Sequence, residues 1–273
     1  MGRIARGWNL AKQSLSVVLT DGSLAALVVL GAIASVLIAA ALFIPAAVSW
    51  PGDRVLGGIL VVAGVYSTTA MGVFFAVALA AAAADVLDGR DATVGRSLSV
   101  ASGKLGPILG WALILTTVNI VLQVITERAG LVGAIAGRFL GVAWSLATFL
   151  VVPIVALEGL GAGDALKRSG GIFRQRWGSQ IVGQVSISGL FFICGVIPGI
   201  ALGALGVASG SRGLAIGMVA AGAVVVIASM ILAAAARAVF SVALYRFATG
   251  AGAPAPFSGN DLEQVVRQRR RFF

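Results

Sequence analysis

The sequence contains no histidine, one cysteine and only three lysines among its 273 residues. Without histidine the chain lacks the commonest general base at neutral pH and the commonest transition-metal ligand. The single thiol, Cys194, falls in an apolar run and excludes an internal disulfide. Charge is scarce too: 11 % of residues are charged, where a soluble domain carries about a quarter. Residues 1–23 hold no apolar core and no small-residue cleavage motif, so no cleaved leader is expected. The ten-residue alternation of apolar and polar positions that a transmembrane β-barrel requires is missing as well.

What fills the chain instead is apolar: 59 % of residues are hydrophobic and the mean hydropathy is +1.03. Runs of about 20 or more apolar residues recur along its length, each matching the roughly 30 Å hydrocarbon layer of a bilayer. The expected fold class is therefore all-α, a polytopic membrane protein with six transmembrane helices at about 24–48, 56–84, 105–127, 132–156, 179–207 and 214–248. The second and sixth runs are long. At about 1.5 Å per residue a 35-residue helix reaches about 52 Å, so these helices should tilt, bend or project into water.

A net charge of +10 would suit a nucleic-acid partner, but the basic residues lie in short segments between the apolar runs. One side of the membrane receives Arg3, Arg6 and Lys12, then Arg90, Arg96 and Lys104, then Lys167, Arg168, Arg174 and Arg176, then Arg246 and the tail cluster Arg267, Arg269, Arg270 and Arg271. The other side receives Arg54, Arg128, Arg138 and Arg212. The bias predicts cytoplasmic N and C termini in a cytoplasmic (inner) membrane.

The basic segments also repeat. RSLSVASGKLG (96–106) and RSGGIFRQRWG (168–178) align without gaps, sharing Arg-Ser, a basic residue eight positions on, and the final Gly. RGWNLAKQS, from Arg6, aligns more loosely. Each precedes a pair of spans. The pattern predicts three repeats of an interfacial amphipathic helix (about 3–19, 93–104 and 163–177) followed by a transmembrane hairpin. Residues such as Ile4, Leu10, Leu15, Leu166, Ile172, Phe173 and Trp177 would enter the lipid interface, and the cations would meet anionic headgroups. Ordinary basic loops are the plainer alternative. Residues 1–250 thus form one transmembrane domain, and 251–273 a basic cytoplasmic tail in which Asn260 and Glu263 fit a capping box.

The segments MGRIARGWNLAKQS (1–14), VVPIVALEGLGAGDALKRSG (151–170) and ALYRFATG (243–250) resemble an uncharacterised bacterial and archaeal integral-membrane family, a domain of unknown function with six predicted spans. The Pro153, Glu158, Ala165, Leu166 and Ser169 pattern is also similar to the membrane domain joined to some glycerophosphodiester phosphodiesterases. That likeness concerns architecture alone, since nothing here matches the catalytic domain of those enzymes. The resemblance implies a fold and no activity.

Polar groups inside apolar runs are the candidate functional residues, because each is costly in lipid. Thr116, Asn119, Gln123 and Glu127 recur at three- or four-residue spacing on one face of the third span. They suit either a solute path or hydrogen bonds between helices. Arg237, Ser241 and Tyr245 form a face on the sixth span, and Gln180, Gln184 and Ser188 a face on the fifth. Together these faces would line a pocket for an anionic headgroup or carboxylate, with Arg237 as its cation. Alternatively Arg237, about 4–5 Å beyond a 20-residue crossing that begins at Leu214, is an interface anchor. Asp85 or Glu158 would be its partner in an ion pair. Small residues at Gly31, Ser35 and Ala39, at Gly133, Gly137, Gly141 and Ser145, and at Gly213, Gly217 and Ala221 mark faces for close helix packing.

No nucleophile–base pair, acidic cluster in the membrane or phosphate loop points to an enzyme, and no cofactor is expected. Asp85, Asp88 and Asp91 read as turn and capping residues. The expected function is an accessory or lipid-interacting membrane scaffold, with membrane lipids as partners and a membrane protein or second copy as a further partner. A transporter or channel-like protein for a small or anionic solute or lipid is the alternative.

Overall fold

The computed structural model describes residues 18, 21–128, 140–141, 143–145, 147–176, 196–252, 254 and 257. Among these residues every regular element is a helix: α1 (Gly22–Ser49), α2 (Arg54–Leu87), α3 (Val94–Ser102), α4 (Leu105–Arg128), α5 (Val151–Glu158), α6 (Ala162–Arg176), α7 (Ile197–Ala208) and α8 (Arg212–Thr249). Four are long and apolar enough to cross a membrane: α1, α2, α4 over Leu105–Thr126, and α8. They occupy the first, second, third and sixth expected spans. Residues 132–139, 142 and 146 of the fourth and 179–195 of the fifth lie outside the described residues.

Where the fourth expected span is described, it is not one continuous helix. Residues 147 and 148 are helical, 149 and 150 form a turn, and α5 restarts at Val151. Pro153 explains the interruption. Its ring would clash with the carbonyl of Phe149 in a continuous helix, yet it suits the third position of a new one, where no N–H partner is needed. Gly159, at φ +68°, ends α5 in the left-handed conformation.

The chain divides into two compact units, and α1 and α2 each contribute to both. One comprises Val29–Ala82 and Ala92–Gly178. Here the Asp53 carboxylate opens α2 by accepting the N–H groups of Val55 and Leu56, both at 3.0 Å. In the α1–α2 hairpin, glycines sit under aromatic rings. A Cβ on Gly31 would fall 2.8 Å from the Phe75 ring, and one on Gly64 2.9 Å from Phe43. In α4, Ile108, Trp111 and Ala112 are buried, and Trp111 stacks on Trp144 at 6.1 Å.

Helices α3 and α6 occupy the second and third expected interfacial segments; the first lies outside the described residues. Thr93 caps α3 by accepting the Arg96 N–H at 3.3 Å. In α6 the residues at i, i+4, i+7 and i+8, namely Ala165, Ser169, Ile172 and Phe173, are buried. Ile172 and Phe173 therefore pack against protein rather than entering the lipid interface. The Ser169 hydroxyl, within the same face, donates to the Ala147 carbonyl at 2.5 Å. Lys167, Arg168 and Arg174 are left on the exposed side.

The other unit comprises Met1–Val28, Ala83–Asp91 and Ser179–Phe273. Its α7–α8 hairpin turns through Gly210, at φ +68°. Backbone meets backbone along Gly199, Gly203 and Gly206 of α7. A Cβ on Gly206 would lie 2.6 Å from the Met218 Cβ, one on Gly199 2.8 Å from the Gly222 carbonyl, and one on Gly222 would overlap the Gly199 carbonyl. The small-residue face expected on this helix, Gly213, Gly217 and Ala221, is instead exposed, with nothing within 4 Å of a Cβ at either glycine. The two stripes differ by a single residue, about 100° around the helix, and composition does not separate them.

At 38 residues α8 is about 57 Å long. Before Ile231 it buries only Gly222, whereas between Ala233 and Leu244 nine residues are buried: Ala233, Ala235, Ala236, Val239, Phe240, Ser241, Val242, Ala243 and Leu244. A helix covered on nearly every side is the interior of a protein body, not a lipid-facing rod.

Candidate functional site

Charged groups gather where α2 ends and α8 nears its C terminus. Arg246 projects from the last turn of α8 and grips Asp88 in the turn after α2. Its Nη1 donates to one carboxylate oxygen and its Nη2 to the other at 2.9 Å, while Nη2 also reaches the Ala84 carbonyl at 3.3 Å. Such a two-pronged match of guanidinium and carboxylate is the strongest geometry an ion pair adopts. Arg90 adds a second clamp. Its Nε and Nη2 donate to Asp85 Oδ1 at 3.0 and 2.7 Å, and Nη2 donates to Asp88 Oδ2 at 2.8 Å. Two carboxylates at a helix C terminus oppose the helix dipole, and the two arginines compensate them. Hydrogen bonds from Arg246, aided by the Arg246 and Arg90 charges, hold Asp88 below the usual carboxylate range against the opposing effect of burial.

Comparable closures occur in the Val29–Ala82 and Ala92–Gly178 unit. Arg168 Nε meets Glu158 Oε1 at 3.4 Å. Lys104, in the turn between α3 and α4, donates its ammonium to the Ala156 carbonyl, one of those that α5 leaves without an N–H partner at its C terminus. Burial pushes the Lys104 amine below its usual value.

The residues singled out from the sequence fare differently. Arg237 is exposed, and its Nε donates to the Ala233 carbonyl one turn back at 3.3 Å. Neither suggested acidic partner engages it, since Asp85 pairs with Arg90 and Glu158 with Arg168. Ser241 and Tyr245 are both buried, and the Ser241 hydroxyl donates to Ala238 O at 2.9 Å. Gln180, Gln184 and Ser188 lie outside the described residues. On α4, Thr116 is buried with its hydroxyl unpartnered, while Asn119 and Gln123 are exposed. The Glu127 side chain is outside the described set. Among the described residues no three of His, Cys, Asp and Glu gather as metal ligands.

The Arg246–Asp88 clamp escaped the sequence reading, although its signal was present. Opposite charges at the ends of two long spans, on the side given to the basic segments, are candidates for each other. Lys104 on the Ala156 carbonyl had no such signal, because a backbone acceptor leaves no mark on side-chain composition.

A family model described as a family of unknown function (DUF6159) matches residues 55–254. The chain belongs to DUF6159. The matched stretch of this DUF6159 member runs from the first turn of α2 to just past α8, and so takes in both arginine clamps, Lys104, the α4 polar face and Arg237. No curated protein and no solved structure matches the chain. The likeness to phosphodiesterase membrane domains accordingly rests on the residue pattern alone, and DUF6159 membership brings no activity with it.

Proposed function

We propose that this chain is a lipid-interacting membrane scaffold of six spans, built as three repeats of short helix and hairpin, with both termini cytoplasmic and no catalytic role. The observation that carries this reading is the distribution of charge and apolar surface. Asp85, Asp88 and Glu158 are spent on arginine clamps that tie elements together. Large apolar side chains such as Val36, Val48, Val62, Leu113, Val207 and Val224 face outward from the spans. Carboxylates so engaged serve architecture better than they serve proton or ion coupling, and the outward surface suits lipid. The test is reconstitution into vesicles followed by flux of small anions, protons and fluorescent lipids. A scaffold predicts rates equal to empty vesicles, and protein-dependent flux refutes it.

A second reading, a transporter or channel-like protein, draws on the α4 face. Thr116 carries a buried, unpartnered hydroxyl, and Asn119 exposes an amide well inside an apolar helix. Asn119→Cys in a Cys194→Ala background discriminates the two. Labelling by a membrane-impermeant thiol reagent indicates a wet path, and protection indicates lipid or a protein neighbour. Orientation is tested by cysteines at 209–212, which should label from outside the cell.

A further inference from the structure

Along α8 the residues Ile227, Met230, Ala234, Arg237 and Ser241 follow three- and four-residue spacing and share one face. Their exposure changes in order down the helix. Ile227 is 56 % and Met230 61 % exposed, Ala234 is half-buried, Arg237 is exposed again, and Ser241 is buried. The face is thus an open apolar strip that ends on a cation and is closed one turn below it. From Ile227 to Arg237 the strip runs ten residues, about 15 Å.

The cation itself is unspent. Arg90, Arg168 and Arg246 each hold a carboxylate, whereas among the described residues Arg237 meets only the Ala233 carbonyl, through Nε. That bond leaves both terminal nitrogens available and steadies the guanidinium beside a segment where Ala233, Ala235, Ala236, Val239 and Phe240 are all buried. A guanidinium against so much covered apolar surface gains from an acceptor with several charged oxygens, and phosphate fits its paired N–H groups. By residue count Arg237 stands about 4–5 Å past a 20-residue crossing that starts at Leu214, at the depth of lipid headgroups.

We propose that α8 binds an anionic phospholipid, its phosphate on Arg237 and an acyl chain along Met230 and Ile227. This rests on the lipid-interacting reading above and names its ligand class and residue. An apolar strip in line with the cation favours an amphiphile over a free phosphate ion, which would use the arginine alone.

The test uses the full-length protein in a neutral detergent and compares three probes by native mass spectrometry and thermal shift: dioleoyl phosphatidylglycerol, dioleoylglycerol and inorganic phosphate. Phosphatidylglycerol should bind wild type about tenfold more tightly than Arg237→Gln, the worth of one charge-assisted contact. Arg237→Lys should fall between, and dioleoylglycerol should not distinguish the variants. Equal phosphatidylglycerol affinity in wild type and Arg237→Gln overturns the site. Inorganic phosphate protecting wild type as well as the lipid does, and losing that effect in Arg237→Gln, overturns the lipid and leaves a soluble anion. A second measurement leaves Arg237 intact. A fluorophore on Met230→Cys, in a Cys194→Ala background, should be quenched more by brominated phosphatidylglycerol than by brominated phosphatidylcholine; equal quenching overturns the proposal. If wild type shows no preference for the anionic lipid in either measurement, the lipid-interacting reading falls with it. A preference that Arg237→Gln keeps in full removes only the Arg237 assignment.

Discussion

Gly222→Ala should destabilise the α7–α8 hairpin, whereas Gly217→Ala, little more than one turn away, should not. A methyl group on Gly222 would overlap the Gly199 carbonyl, and backbone on both sides leaves nothing flexible to yield. The helices must part by about 0.5–1 Å, which forfeits a quarter to a half of the dispersion energy of each contact across the face. With roughly 20 contacts of about 0.15 kcal/mol each, the loss is about 0.75–1.5 kcal/mol, around the lower end of the usual overpacking cost of 1–3 kcal/mol. Replacing glycine by alanine in a helix also gains about 1 kcal/mol in propensity, but both variants share that gain. The difference between them therefore isolates the clash. Nothing stands within 4 Å of a Cβ on Gly217, so its variant should unfold at or slightly above the wild-type temperature. Gly222→Ala should unfold about 2–6 °C below Gly217→Ala in a detergent thermal scan. Equal midpoints would show that the Gly199–Gly222 contact does not hold the hairpin, and a lower midpoint for Gly217→Ala would restore the face read from composition.

Three further outcomes follow from the polar contacts. Because Asp88 titrates below its unfolded value, the stability it contributes should be complete above about pH 4 and be lost as pH falls through the folded value. Asp88→Asn should remove that acid-dependent part and cost about 1 kcal/mol at neutral pH, a modest figure because water partly screens the pair; pH-resolved thermal scans of the two proteins measure it. Lys104→Met should cost about 1 kcal/mol by leaving the Ala156 carbonyl without its ammonium donor, and should raise protease sensitivity near Gly159; a variant as resistant as wild type counts against the contact. The two aligned serines should behave differently: Ser169→Ala strands the distant Ala147 carbonyl and should cost about 1–3 kcal/mol, whereas Ser97→Ala loses only a bond to Thr93 O, four residues back, and should change the midpoint little.

The elements that solvent chemistry dictates were legible in the sequence. Apolar runs as long as α1, α2, α4 and α8 are dictated by bilayer thickness, and the basic segments around α3 and α6 announce short helices through spacing alone. Partner choice was not legible. Asp88 and Arg246 are 158 residues apart; charge sign and membrane side make them candidates for each other but do not single out this pair. Helical periodicity marks a small-residue stripe but cannot choose between Gly213–Gly217–Ala221 and the adjacent Met218–Gly222 line, because the choice depends on what α7 offers in return. For the same reason the α6 pattern showed that one side is apolar without saying whether lipid or protein covers it. Pro153 carried the break before α5 in plain view, since its position fixes which carbonyl it would strike. Of the candidate site, Arg237 was visible as a charge in an apolar run, but its freedom from Asp85 and Glu158 depended on where Arg90 and Arg168 point.

The change in covering along α8 has a consequence for the surrounding bilayer. A bare transmembrane rod answers a thicker or thinner membrane by tilting or sliding. The stretch from Ala233 to Leu244, largely clad in protein except at Arg237, cannot tilt or slide apart from that cladding, so it acts as a collar. Along this collar surrounding lipid meets the neighbouring protein rather than the helix, so a change in bilayer thickness bears directly on the bare stretch before Ile231.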